Sequence, residues 1–417
     1  MHRFMIPLFK LSLVCAVLGL GSNNWTARLP VSAAAVEDIT PIVETHPVPS
    51  SGDAADDAAI WIHPSNTSES LLIGTDKKSG LLVYNLAGEE IQYLPDGKLN
   101  NVDLRYNFPL GGQLVALVSA SNRTDDSIAT YKVNATTRKL ENVAARKISA
   151  GISVYGTCMY RSVQTGKYYM FITSQSGEVE QWQLFDNGSG KVDGVLVRSF
   201  DVGSQSEGCV ADDQFPDLYI AEESTGIWKY GAESGDGNAR TLVDSTGSGG
   251  HLAADVEGLS IYYTSAGTGY LIASSQGNST FVIYQREEGN EYVMTFEILD
   301  SAVIDRVSGT DGIDVTNFPL GTTFPQGAFI AQDGNNGAEN QNFKLVTWQL
   351  IANAANPPLS IDTSWDPRLV GADSPPPPPP PPPNLDSFVY LPLSMTSPAI
   401  ASLPYPVDER SCVRCRR

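Results

Sequence analysis

The chain has 417 residues, with 47 acidic residues against 27 Lys and Arg residues and a formal net charge of −20. This excess of negative charge argues against a nucleic-acid-binding protein, because nucleic-acid phosphates are neutralised by Lys and Arg. The presence of only four histidines argues against a His-rich zinc or iron site, whereas a strongly acidic chain suits an exported protein or one that concentrates divalent cations.

Residues 1–35 have the pattern of an export signal. Basic residues precede an apolar run at residues 11–20, and small residues follow up to Ala35. The run is too short to span a bilayer comfortably, so we prefer cleavage near Ala35 to the alternative of a membrane anchor. We therefore expect a secreted or cell-surface protein without a stable membrane span.

Residues 36–370 are predicted to form an all-β body. Short runs rich in Val, Ile, Tyr, Phe and Trp alternate there with Gly, Asn, Asp and Ser clusters. Six segments repeat one plan, in which a polar residue, usually followed by Gly, precedes an alternating apolar strand. They begin at Asp56, Asn100, Tyr155, Glu207, Glu257 and Asp311, at intervals of 44, 55, 52, 50 and 54 residues. About fifty residues is the length of one four-stranded blade, so the spacing predicts a six-bladed β-propeller.

The sequence after residue 370 changes in composition. Residues 371–387 contain an uninterrupted proline run from Pro375 to Pro383, which predicts a stiff, extended linker. Residues 388–417 form a short tail, for which a sorting or attachment signal and a disordered end are both open interpretations.

Four cysteines remain once the predicted signal is removed. Cys412 and Cys415 form a C-x-x-C in the tail, while Cys158 and Cys209 follow the first residues of neighbouring repeats by three and two positions. An oxidising compartment favours a disulfide between Cys158 and Cys209. A difference of one in repeat position, however, turns strand residues to opposite faces, so two buried free thiols are the alternative.

The six repeat starts are expected to converge, because the first strand of each propeller blade lines the central channel. Four of the six are carboxylates, and Glu223 and Asp255 come from adjoining positions. Crowded carboxylates repel one another unless cations neutralise them, and calcium accepts irregular cages of oxygen ligands. The alternative is a solvated rim of acids that precede strands.

Three cations, Lys77, Lys78 and Arg123, fall in turns beside this predicted acidic cluster. Cations next to a metal cluster indicate a polyanionic ligand whose phosphate oxygens contact both metal and side chains. The sequence contains no G-x-S-x-G elbow, H-E-x-x-H helix or P-loop, and neither the R-H-G nor the H-C-x-x-x-x-x-R phosphatase signature. Metal-activated water is the hydrolytic chemistry that remains.

Residues 43–348 closely resemble the β-propeller, alkaline, calcium-dependent phytase family of bacilli. The likeness rests on strings that occur in order: GDAADD at 52–57, KKSG at 77–80, GKLNNVD at 97–103, ASNR at 120–123, IAEE at 220–223, SSQGNS at 274–279 and TDGIDV at 310–315. It implies a 3-phytase that uses several calcium ions to release phosphate from phytate, or from a calcium–phytate complex, by attack of metal-activated water. We expect a monomer. The rival interpretations are a calcium-binding propeller with lactonase or phosphotriesterase activity and a non-catalytic ligand-binding propeller.

The resemblance also implies roles for individual residues. The expected metal ligands are Glu44, Asp56, Asp57, Glu207, Glu223, Asp255, Glu257, Asp305, Asp311 and Asp333, among which Asp57 and the pair Asp305 and Asp333 correspond to structural calcium positions. The expected substrate contacts are Lys77, Lys78, Arg123, Tyr155 and Gln276, and catalytic roles fall to Asp56, Glu207, Lys77 and Tyr155.

Two residues depart from the family pattern. Gln175 stands where the family has a phosphate-binding Lys, which predicts weaker phosphate binding at one site. Asn335 stands where a Glu helps to bind a structural calcium, which predicts a weakened or altered calcium position.

Overall fold

The computed structural model describes residues 35–287 and 289–372; the predicted signal up to residue 34, the linker after residue 372 and the tail with Cys412 and Cys415 lie outside them. In this part of the chain six small sheets are arranged in a ring, so the prediction of a six-bladed β-propeller is confirmed. The described residues otherwise contain one short helix, α1 (Trp348–Ala354), and three 3-10 turns, Thr67–Glu69, Gln276–Asn278 and Pro367–Leu369.

The strands follow one another around the ring as antiparallel meanders. Two strands, β1 (Val36–Ile39) and β2 (Val43–Glu44), precede the first blade. Blade 1 contains β3 (Ala55–Trp61), β4 (Leu71–Asp76), β5 (Gly80–Asn85) and β6 (Glu90–Leu94). Blade 2 contains β7 (Leu99–Leu110), β8 (Gln113–Asn122), β9 (Ser127–Asn134) and β10 (Lys139–Asn142), with β11 (Ile148–Ser149) paired to β9. Blade 3 contains β12 (Thr157–Arg161), β13 (Tyr168–Thr173), β14 (Glu178–Asp186) and β15 (Val192–Asp201).

The second half of the ring repeats the arrangement. Blade 4 contains β16 (Ser206–Ala211), β17 (Asp217–Glu222), β18 (Gly226–Gly231) and β19 (Arg240–Ser245). Blade 5 contains β20 (Val256–Tyr263), β21 (Gly269–Ser275), β22 (Thr280–Gln285) and β23 (Tyr292–Ile298). Blade 6 contains β24 (Ile313–Thr316), β25 (Ala328–Asp333) and β26 (Asn342–Thr347). The first strand of each blade contacts the first strand of the next, and β24 contacts β3 to complete the circle.

The two N-terminal strands close the ring. Strand β2 pairs antiparallel with β26 and supplies the outer strand that blade 6 would otherwise lack. Strand β1 pairs in parallel with β23 at the outer edge of blade 5. The start of the described chain therefore covers the outer edges of the last two blades. Without β1 and β2 these edges would be free to pair with strands of other chains.

Hydrophobic contacts between neighbouring sheets form the core. In the described residues, six clusters of buried apolar side chains lie at the six blade junctions. Large rings fill them, among which Tyr84, Tyr131, Tyr284 and Trp348 are fully or almost fully buried. Burial of such side chains is the main stabilising term of the fold, at about 25 cal/mol per Å² of apolar surface. No helix in the described part of the chain has the length and apolar composition that crossing a membrane requires.

Close packing between blades explains the glycine that usually follows the repeat-start residue. A Cβ at Gly156 would overlap the carbonyl of Glu207 on the next blade, and a Cβ at Gly208 would overlap the carbonyl of Glu257 in the same way. Only glycine allows so close an approach of two backbones. The inner strands are thereby drawn together where the repeat-start residues lie.

A disulfide joins Cys158 to Cys209, with Cα atoms 5.6 Å apart. Both cysteines lie in the apolar cluster between blades 3 and 4, whereas the neighbouring residue Met159 lies in the cluster between blades 2 and 3. Each blade packs its two faces against different neighbours. The bond therefore requires the difference of one in repeat position. It turns Cys158 towards blade 4 and Cys209 back towards blade 3.

Candidate active site

The repeat-start residues meet at one end of the channel. Asp56, Asn100, Glu207 and Glu257 are each the second residue of an inner strand, while Asp311 and Tyr155 each stand two residues before one. An open cavity of about 510 Å³ lies at this end. Its lining includes Asp53, Lys77, Tyr155, Gln205, Glu207, Glu223, Asp255, Glu257, Gln276 and Asp311.

Three buried glutamates form the centre of this cavity. Glu207, Glu223 and Glu257 each place one carboxylate oxygen within 4.8 Å of the others, although all three side chains are almost fully buried. One oxygen of Glu223 and one of Glu257 have no hydrogen-bond partner. Buried polar atoms without partners are costly, so this arrangement fits a cation that would accept these oxygens as ligands.

The electrostatics of the site agree with that requirement. Burial, with repulsion between neighbouring carboxylates added to it, raises the pKa of Asp56 to about 8. Burial is also the largest cause that raises the pKa of Glu207, Glu223 and Asp311 to about 7 each, and it raises the pKa of Glu257 well above its usual range. Without a bound metal ion this carboxylate cluster therefore retains protons to higher pH than isolated carboxylates do, and metal binding would release them.

Lys77 lies in the turn between β4 and β5 and places its ammonium among three carboxylates. The Nζ atom is 2.7 Å from Asp53 Oδ1, 2.9 Å from Asp56 Oδ1 and 2.7 Å from Asp311 Oδ2. Burial opposes the charge of Lys77, but the attraction of Asp56 and Asp311 outweighs it and raises the pKa of Lys77. Gln276 contacts the same group, because its Nε2 donates to Asp311 Oδ1 at 2.5 Å.

Arg123 and Tyr155 form a second group beside the glutamates. The Arg123 guanidinium lies 5.1 Å from the centre of the Tyr155 ring, and its Nη1 donates to Asn100 Oδ1 at 2.8 Å. Burial and the nearby charge of Glu207 raise the pKa of Tyr155, so its hydroxyl stays protonated. Lys78 instead points to the exposed side, where its Nζ donates to the carbonyl of Ser51.

Glu44 is not brought into the cavity. It lies on β2, the outer strand of blade 6, where its Oε2 accepts from Asn342 Nδ2 at 3.2 Å. Asp57 faces the interior of the channel, where its Oδ2 accepts from the backbone of Val102 at 3.0 Å. Gln175 is exposed in the turn between β13 and β14.

The pair Asp305 and Asp333 already has a cation. Lys344 is fully buried and donates from Nζ to Asp305 Oδ1 at 2.5 Å and to Asp333 Oδ2 at 2.6 Å. The other oxygen of Asp333 accepts from the backbone of Ser308 and Asn335. The Lys344 ammonium thus joins the two carboxylates expected at a structural calcium position, while the Asp305 side chain remains 40% exposed.

Sequence reasoning did not include two of the residues that complete the site. Gln205 lines the cavity, and its Nε2 lies 3.5 Å from the Tyr155 hydroxyl. Asp53 pairs with Lys77 from the loop before β3. Their position in the sequence could have indicated them, because each residue stands two or three places before a repeat start.

The chain is similar to known proteins in sequence and in structure. A protein-family model described as Phytase matches residues 9–372. A curated protein described as 3-phytase, from Bacillus subtilis (strain 168), is 49% identical over 323 residues, which cover 75% of this chain and 84% of that protein. Among solved structures, regucalcin from Agrobacterium tumefaciens str. C58 matches with a TM-score of 0.49 and 9% identity over 75% of this chain and 96% of that one. A chain of a nidogen/laminin complex matches with a TM-score of 0.39 and 13% identity over 63% of this chain and 84% of that one.

Proposed function

The chain belongs to the phytase family and is a 3-phytase, a phosphatase that hydrolyses phytate, and from this premise we propose that it works through calcium ions held at the mouth of the channel. The observation that carries the proposal is the group of three buried glutamates, two of which leave a carboxylate oxygen without a partner. Hard oxygen ligands in an irregular cage are the donors that calcium prefers.

The residues that would hold calcium are Glu207, Glu223 and Glu257, together with Asp255 and Asp311 from the cavity lining. The fully buried Asp56, which contacts Lys77, would complete the set. When bound, calcium ions would attract phosphate oxygens, help to make a water molecule nucleophilic and stabilise the charge that develops on the transferred phosphoryl group. The neighbouring chain groups would orient the substrate against this centre.

Lys77 would bind the reacting phosphate by exchanging one of its three partners. Asp56 is fully buried and the Asp311 side chain is only 11% exposed, so these two fix the ammonium in place, whereas the Asp53 side chain is 74% exposed. An exposed ion pair contributes little, so a phosphate oxygen would replace Asp53 at low cost. The ammonium would then already be oriented before the reaction begins, which is the condition for strong electrostatic catalysis.

Arg123 and Tyr155 would hold phosphate oxygens on the other side of the glutamates. The Arg123 guanidinium is fixed by the Tyr155 ring and by Asn100, and it has further N–H groups to donate. Tyr155 keeps its proton and would act as a donor next to Glu207. Together with Lys77 these groups suit a substrate with several phosphates.

We also propose that the protein is exported, with residues 1–35 removed, and that a monomeric propeller of residues 36–370 is followed by a linker at 371–387 and a tail at 388–417. The export pattern and the proline run support this organisation. Mass spectrometry of the secreted protein gives the cleavage site, and sedimentation gives the oligomeric state. An intact N-terminus on the exported chain would contradict the signal assignment.

Phosphate release from phytate, measured with calcium and with excess chelator, tests the role of calcium. We expect the activity to depend on calcium and calorimetry to show calcium binding at the site. The variant Glu207→Gln keeps the shape of the side chain but removes one negative ligand, so turnover should fall by roughly 100-fold or more.

Glu178→Gln is the matched control, because Glu178 is an exposed acid on β14, outside the cavity. It should leave both turnover and calcium binding unchanged. Full activity in chelator, or normal turnover of Glu207→Gln, would overturn the calcium proposal while leaving the phytase activity itself in place.

A further inference from the structure

Asn100 occupies a repeat position at which four other blades carry a carboxylate. It is the second residue of β7, and its side chain is fully buried. The residues at the corresponding starts of the other blades include Asp56, Glu207, Glu257 and Asp311. A neutral amide therefore stands inside a ring of acids, and neither calcium nor substrate chemistry alone explains why.

The contacts of this amide link the two sides of the site. Its Nδ2 donates to Asp56 Oδ2 at 2.9 Å and to Glu207 Oε1 at 2.5 Å, and Asn101 Oδ1 lies 2.9 Å away. Its Oδ1 accepts from Arg123 Nη1 at 2.8 Å. One side chain thus joins carboxylates of blades 1 and 4 to the guanidinium of blade 2.

Chemistry fixes the orientation of the amide. Arg123 has only donors, so the oxygen of Asn100 must face it. The NH₂ group must then face Asp56 and Glu207, which accept hydrogen bonds. The Tyr155 ring supports the guanidinium from one side, so the orientation of Arg123 is itself restrained.

We propose that Asn100 is a positioning residue, which uses the orientation that Arg123 gives it to hold Asp56 and Glu207 at a fixed separation. This inference rests on the proposed function of the same site. A phosphate group bound by Arg123 would restrain the same guanidinium that orients the amide. The hydrogen-bonded chain therefore connects a substrate-binding cation to two carboxylates of the proposed metal centre.

A double-mutant cycle on the full-length enzyme tests this connection. Asn100→Ala should lower kcat roughly 100-fold, because displacement of reacting groups by about 1 Å costs that much, while KM changes less. It should also weaken calcium binding, measured by calorimetry, roughly tenfold. Arg123→Ala should raise KM and also lower kcat. The double variant should lose little further kcat, since both substitutions release the same amide-dependent arrangement.

Asn100→Asp separates the donor role from simple space filling. The side chain keeps its size and its contact with Arg123, but it turns an acceptor towards two carboxylates, so kcat should fall at least as far as in Asn100→Ala. Asn317→Ala is the control for loss of a buried amide, because Asn317 lies just after β24, at the opposite end of an inner strand, and donates to two backbone carbonyls. It should lower the melting temperature without changing kcat, KM or calcium binding.

Three results would overturn the inference: near-normal kcat in Asn100→Ala, additive kcat losses in the double variant, or wild-type kcat in Asn100→Asp. Failure of the proposed function is a different result, since it requires that the wild-type enzyme be indifferent to chelator. The kcat cycle at Asn100 is interpretable in either case.

Discussion

Removal of the disulfide between Cys158 and Cys209 is expected to lower the stability of the propeller without altering its fold. The bond joins the inner strands of blades 3 and 4 across a buried junction, where the cysteine side chains are 2% and 7% exposed. In the unfolded chain the same bond closes a loop of 51 residues. The variant with both cysteines changed to alanine loses this restraint and keeps the strand ladders.

The loop length sets the size of the effect. Chain-entropy arguments give about 14 cal/mol/K for a loop of this length, or about 4 kcal/mol at room temperature. The unfolding entropy of a propeller of roughly 340 residues is about 0.7 kcal/mol/K. The melting temperature should therefore fall by about 6 °C, and the small cavities left by two sulfur atoms would add to this loss.

Differential scanning calorimetry with and without reductant measures the shift. The wild-type protein should lose about 6 °C in reductant, whereas the double alanine variant should melt at the lower temperature and not respond to reductant. Phosphate release below the transition should persist, because neither cysteine contacts the acidic cavity. A shift below about 1 °C, or a reductant effect in the variant, would refute the entropic reasoning.

Three further predictions concern charge. Burial raises the pKa of Asp56 to about 8 and that of Glu207 to about 7, so the folded metal-free chain binds more protons than the unfolded chain between pH 5 and 8. Its melting temperature in chelator should fall as pH rises, whereas calcium should reverse the trend, and a rise in chelator would contradict the assignment. Lys344→Met leaves Asp333 buried without its cation and should lower the free energy of unfolding in urea by about 3–5 kcal/mol. Lys229→Met breaks a more exposed ion pair on the third strand of blade 4 and should lower it by at most about 1 kcal/mol. Equal losses in these two variants would show that Lys344 is not an internal counter-ion. Gln175→Lys should lower KM for phytate more than it changes kcat, because a rim cation binds ground state and transition state alike, and an unchanged KM would show that this position does not contact substrate.

The sequence by itself determined the propeller and most of its acidic site. Each blade repeats a polar residue at or just before the start of its inner strand, and strand alternation then fixes which residues face the channel. Asp56, Glu207, Glu257 and Asp311 could therefore be assigned to one site although they are far apart in the chain. This inference succeeded because a repeat converts a local position in sequence into a position around a common axis.

Only the tertiary structure decided which side chains form hydrogen bonds and ion pairs with one another across blades. The repeat position of Asn100 is readable from sequence, but its donor role depends on Arg123, which fixes the amide from another turn. The same holds for Lys344, whose ammonium pairs with Asp333, and for Glu44, which β2 carries to the outer edge of blade 6. Sequence periodicity specifies the face of a strand, whereas the pairing of charges depends on distances between elements that meet only when the ring closes.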